Sequence, residues 1–170
     1  PGGVKMACGE NPKRVYGDKG GPMTRMGNAA HFRSLFERAK DYGKKIDKWK
    51  KNPEGEQPKR DFQLETMSMV LKGELLAHIH CYRNDDLNII MDLTEEYGFK
   101  VRAFHHGLEA YKVAERLAKN DISVSTWADW WGFKMEAYDG IPANAAILFK
   151  KGVRPVIHSD SAKDIRWLNI

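Results

Sequence analysis

The chain has 170 residues, with 28 Lys+Arg against 23 Asp+Glu and a formal net charge of +5. Hydrophobic residues make up 42% and charged residues 30%, enough apolar mass for a core, which excludes a wholly disordered chain. No apolar run of about 18 residues occurs, which excludes a transmembrane helix, and the two cysteines, Cys8 and Cys81, cannot make a disulfide scaffold and do not indicate an oxidising compartment.

Pro1-Gly2-Gly3-Val4 has neither the basic nor the apolar region of a signal peptide, and both ends read as cut from something longer. No location is assigned on this basis, with the cytoplasm as the default. The charge is uneven: residues 1–60 carry 15 Lys+Arg and 7 Asp+Glu, a net of +8, and residues 61–170 carry 13 and 16, a net of −3.

In chain order, residues 4–8 read as a short strand, followed by a loop over 9–27 rich in Gly, Pro and charge. Asn28 can cap the helix expected over 29–51. There Phe32, Leu35, Phe36, Ala39, Tyr42, Ile46 and Trp49 recur at spacings of three and four, with Arg33, Lys40, Lys44, Lys48 and Lys51 opposite. That basic face is better read as solvated than as a nucleic-acid surface, because it has no aromatic interleaving. Residues 52–60 form a connector. From residue 61 helices and strands alternate: helices over 61–72, 85–97, 108–119 and 141–150, and strands over 74–81, 99–105, 122–126 and 153–158.

That alternation predicts βαβ units on a parallel sheet, repeating roughly every 25–30 residues, as in a (β/α)₈ barrel or a doubly wound sheet. A barrel typically needs about 250 residues, so the α/β reading is one partial domain over 1–170, the C-terminal half of a barrel. Residues 1–60 supply the loop and basic helix, and residues 61–170 the repeated units. A half-barrel exposes the edges of its first and last strands, so closure by the missing half or a partner chain is expected.

Histidines cluster at the expected strand ends: His78 and His80, then His105 and His106, then His158 with Asp160. In parallel α/β folds these ends open onto one ligand-binding face, and imidazoles with a carboxylate suit zinc or a related divalent metal. Each residue also has a plainer role: a hydrogen-bonded rim histidine, or, for Asp160, a helix N-cap.

The strings Leu75-Leu76-Ala77-His78-Ile79-His80-Cys81, Ala103-Phe104-His105-His106-Gly107 and Val156-Ile157-His158-Ser159-Asp160-Ser161 resemble the fifth-, sixth- and eighth-strand motifs of metal-dependent amidohydrolases, in the branch related to imidazolonepropionase and the metal-dependent prolidases. The resemblance covers about residues 62–170 and implies metal ligands at His80, His106 and Asp160, with His78 as the alternate to His80. Asp160 would also take the proton of the attacking water, and His106 would act beside it in catalysis. Lys5 falls where binuclear members carry a carbamylated lysine between two metals; otherwise it is a surface lysine. One or two divalent ions, most simply Zn, would activate water against a C–N bond in a small amide, cyclic amide or dipeptide.

Tyr82, Arg83, His105, Trp130 and Trp131 are placed to meet substrate, Arg83 as a bidentate carboxylate donor unless a surface ion pair takes it. The implied partners are a small amide substrate and the missing barrel half; a homo-oligomer is expected, and a membrane or nucleic-acid partner is not. The family's first-strand His-x-His pair lies on no strand read here, so this fragment alone is expected to be inactive.

Overall fold

The computed structural model describes residues 2–168; Pro1, Asn169 and Ile170, read above as cut ends, lie outside the described residues. Five strands, β1 (Gly3–Ala7), β2 (Leu76–Cys81), β3 (Val101–His106), β4 (Ser123–Thr126) and β5 (Pro155–Ile157), form one sheet in the order β1-β2-β3-β4-β5. Every neighbouring pair is parallel. Sequential order without a reversal is the winding of a barrel wall and not of a doubly wound sheet, whose order switches direction.

Helices cover the outer face: α1 (Glu10–Tyr16), α2 (Arg25–Lys51), α3 (Phe62–Leu71), α4 (Asn84–Tyr97), α5 (Ala114–Lys119) and α6 (Asn144–Lys150). Strand alternation decides what they cover. Val4 and Met6 of β1, Ala77, Ile79 and Cys81 of β2, Phe104 of β3 and Val124 of β4 join the helices in one core. The opposite face, inward in a closed barrel, carries Lys5, His78, His80 and His105; Lys5 is exposed there, and His78 and His105 are partly so.

The α2 stripe forms as expected, with Phe32, Phe36, Ala39 and Tyr42 buried. Phe36 is fully enclosed, its ring centroid 5.2 Å from Tyr97 at the end of α4 and 4.9 Å from Phe99 before β3. Lys40, Lys44, Lys48 and Lys51 are exposed on the far face.

Three local readings differ. The loop expected over 9–27 contains α1, because Gly9 takes a positive φ of 77° and redirects the chain into a helix that begins Glu10-Asn11-Pro12. The cap of α2 is Thr24, whose hydroxyl accepts from Gly27 N. Asn28 lies inside the helix and turns its amide inward to donate to Gly9 O at 2.8 Å. The helix expected over 108–119 is a 3₁₀ turn, Ala110–Val113, running into α5.

Cys8 and Cys81, 73 residues apart, are joined by a disulfide with a Cα separation of 5.4 Å. Parallel pairing aligns Ala7 with His80 and so brings the next residues, Cys8 and Cys81, side by side. The bridge is a single staple and not a scaffold, and the sequence offers no local signal for it.

Phe36→Ala is expected to cost about 3–5 kcal/mol, read as a lower denaturant midpoint at unchanged m-value. A loss below about 1 kcal/mol would contradict the seating of α2 on α4 and β3.

Candidate active site

The C-terminal ends of β2, β3 and β5 converge, as a parallel sheet requires. His80 and His106 have ring centroids 4.4 Å apart, and His106 and His158 5.1 Å. The His106 ring packs nearly parallel to two aromatic rings that also pack on each other: Tyr82 at 5.1 Å and Trp127 at 4.7 Å, with interplanar angles of 20° and 17°, and Tyr82 5.7 Å from Trp127. Its φ of 79° lies in the left-handed region that non-glycine residues rarely occupy.

Neighbours pin that conformation. Gly107 N donates to Cys81 O at 2.9 Å, Thr126 Oγ1 donates to His106 O at 3.3 Å, and the buried Asn144 amide donates to Gly107 O at 2.9 Å. A Cβ on Gly107 would come within 2.5 Å of Val124 Cγ1, so the turn after His106 admits no larger residue.

His106 Nδ1 and His158 Nε2 are buried nitrogens without a hydrogen-bond partner among the described residues. Burial drives the His106 pKa far below the usual histidine range, and the neighbouring His80 and His158 push the same way. Burial lowers His80 to about 4, with the Lys134 ammonium adding to it. His80 Nε2 accepts from Asn11 Nδ2 at 3.0 Å, which leaves the ring proton on Nδ1 in the neutral form. These are neutral, lone-pair-bearing imidazoles, the protonation state in which histidine binds metal.

One layer deeper, His78 Nδ1 lies 3.3 Å from His105 Nε2, and Lys5 is in register with His78. Burial, with Lys5 next in effect, lowers His105 to about 4. His78 and His80 thus share the inner face at two depths. Asp160 follows β5 on the same rim, exposed, with a φ of 50°. It acts electrostatically on His80, His105 and His158.

Of the residues expected to meet substrate, Tyr82 is buried against His106. Trp130 packs 4.6 Å from Trp127, whereas Trp131 is 63% exposed and donates its Nε1 to Tyr138 O at 2.7 Å. Arg83 has its guanidinium on Asp85, at 3.0 and 3.2 Å.

Sequence reasoning missed a charged network beside the histidines. Glu136, 3% exposed, accepts from Glu10 N and Arg25 Nη2, both at 2.8 Å, and Lys134 Nζ lies 2.9 Å from its other oxygen. Arg25 also pairs with the buried Asp86, whose pKa desolvation raises to about 6. These partners are distant in sequence; the one local hint is Gly9, where a Cβ would meet Glu136 Oε1 at 2.5 Å.

In the metal-free protein, His80 and His105 are expected to stay neutral down to about pH 4, with ring resonances that do not titrate near 6.5. The unfolded chain binds those protons near pH 6.5, so these two groups lower stability as pH falls from 6.5 to about 4. Asp86 works in the opposite sense, adding stability as pH falls from about 6 towards 3.8. Titration of the His80 or His105 ring near 6.5 in the folded state would contradict the burial described.

Comparison with known proteins gives two likenesses. "Amidohydrolase tasK" of Hapsidospora irregularis is 35% identical over 93% of this chain, which spans 17% of that protein. The crystal structure of an amidohydrolase from Thermotoga maritima MSB8 superposes with a TM-score of 0.86 at 38% identity, over 95% of this chain and 42% of that one. No family model matches. The chain therefore spans less than half the length of either relative.

Proposed function

With both likenesses supporting a hydrolase of an amidohydrolase family, we propose that this chain supplies the strand-end ligands of a metal-dependent enzyme that hydrolyses a C–N bond in a small amide, cyclic amide or dipeptide. The observation that carries the reading is the pair of buried, partnerless nitrogens, His106 Nδ1 and His158 Nε2, at the ends of β3 and β5. A buried polar atom without a partner is costly, and a divalent cation would satisfy both.

His80, His106 and Asp160 are the proposed ligands from the sequence motifs, His78 the alternate to His80, and Lys5 a bridging carbamate if two ions bind. His158 joins them on its orphaned nitrogen. The described residues contain no ready-made group of three His, Cys, Asp or Glu side chains around one point. The resemblance supplies further ligands from a His-x-His pair on the barrel's first strand, upstream of the strands seen here.

A bound divalent ion supplies Lewis acidity and an acidified water. The chain's own residues do the rest. Asp160, exposed at the rim, accepts the water's proton and passes it to the leaving nitrogen. His106, packed against Tyr82 and Trp127, and His158 would hold the ion, whose charge would oppose the one that develops on the carbonyl oxygen. His80 would bind through Nε2, the nitrogen with the lone pair, in exchange for the Asn11 amide that now donates to it. Tyr82 and Trp127 keep water away from the inner side of His106.

A small amide, the rest of the barrel and a second copy of the chain are the proposed partners. Among the described residues no helix is long and apolar enough to cross a membrane.

Plasma mass spectrometry tests the reading on the chain purified without chelator. About one or more Zn, Mn or Fe per chain is expected, lost in His106→Ala and in Asp160→Ala. A folded chain that stays metal-free, both alone and co-expressed with the upstream barrel half, would overturn it.

A further inference from the structure

The cations nearest the aromatic loop are engaged; Lys5, exposed beside His78 one layer deeper, is the exception and is assigned above to the metal. Arg83 is clamped on Asp85, Arg25 bridges Asp86 and Glu136, and Lys134 pairs with Glu136 at 2.9 Å. What the rim leaves open is carbon. From His106 the surface runs through Trp127 to Trp130, 4.6 Å away, and on to Phe133, 5.3 Å from Trp130 and 6.1 Å from Tyr82. Trp127 and Tyr82 are the buried floor; Trp130 is half-buried and Phe133 is 47% exposed.

This loop is tied down and not adrift. Trp127 Nε1 donates to Ser159 O at 2.9 Å, Gly132 N donates to Ala137 O at 3.1 Å, and Glu136 anchors its far end. Lys134 Nζ sits 3.9 Å from the Tyr82 ring centroid and 5.6 Å from that of Phe133, and its charge is paired with Glu136. Asp129 in the loop and Asp160 after β5 add exposed carboxylates to the same rim, which disfavour an anion.

We propose that Trp130 and Phe133 form the wall for a flat, uncharged apolar group of the substrate, so that the amide recognised is a neutral aryl amide and not an amino-acid carboxylate. The inference rests on the amidohydrolase reading and narrows it. A carbonyl placed at His106 and His158 puts its ring-bearing substituent against the wall, where offset stacking and loss of hydration favour it. Hydrolysis adds hydroxyl to the acyl carbon and hydrogen to the nitrogen as the C–N bond breaks, releasing a neutral arylamine and a carboxylic acid; the acid loses its proton to solvent, and the resulting carboxylate is repelled by the acidic rim.

Tryptophan fluorescence tests binding without requiring turnover. Titration of the chain with acetanilide is expected to quench saturably, and N-acetylaspartate is expected not to. Trp130→Leu and Phe133→Leu should each weaken the acetanilide dissociation constant about tenfold or more. Phe133→Leu alters a half-exposed ring and keeps the test open if Trp130→Leu does not fold. Equal or tighter binding of N-acetylaspartate, no saturable acetanilide binding, or unchanged binding in a folded Phe133→Leu chain would overturn the wall.

Aniline release by the zinc-loaded protein completed with its upstream half is scored separately. Acetanilide binding without cleavage of any amide counts against the amidohydrolase reading and leaves the wall standing. Cleavage of N-acetylaspartate with no acetanilide binding does the reverse.

Discussion

The left-handed backbone of His106, whose ring packs against Tyr82 and Trp127, is the constraint on which the rest of the site depends. At an ordinary β conformation the side chain after His105 would point to the outer, helix-covered face, as alternation demands. The positive φ swings it over the strand end instead, towards His80 and His158. Such a conformation costs on the order of 1–3 kcal/mol and persists only where the surroundings over-determine it. Here Tyr82, Trp127, Thr126, Asn144 and a side-chain-free Gly107 all do so. Among the described non-glycine residues only His106, Asp121 and Asp160 have positive φ, and two of the three lie at the candidate site.

The rigid surroundings are themselves products of parallel pairing. Register places Cys8 beside Cys81 and Lys5 beside His78, so the start of the chain is fixed against β2 before α1 begins. The Arg25, Asp86 and Glu136 network then ties three separate pieces together: the start of α2, the first turn of α4 and the aromatic loop after β4. Charges this buried contribute little net stability and fix geometry instead. The loop that carries the substrate wall is therefore held by the same carboxylate that caps α1.

Much of the fold is legible in the sequence because its punctuation is local. Gly98, with a φ of 76°, ends α4 where a left-handed residue is required, and Gly73 and Gly152 mark similar stops. The α2 stripe is a periodicity readable within one segment. The strand-end histidines are legible because a parallel sheet sends every strand end to one face. What escapes is what the fold brings together from afar. Asn11 reaches His80 across 69 residues and Glu10 meets Glu136 across 126, with no spacing rule to connect them. The α1 helix escapes because the Gly and Pro content around it outweighs seven residues of weak periodicity, and Asn28 misleads because its side chain serves tertiary packing in place of a cap.

The central claim is that these strand-end imidazoles bind a divalent metal through nitrogen. X-ray absorption at the zinc edge of the zinc-loaded chain tests it most directly. The account predicts imidazole scattering from at least two histidines per zinc, at about 2.0–2.1 Å, falling by one in His106→Ala. A first shell of oxygen alone, unchanged in His106→Ala, would contradict it.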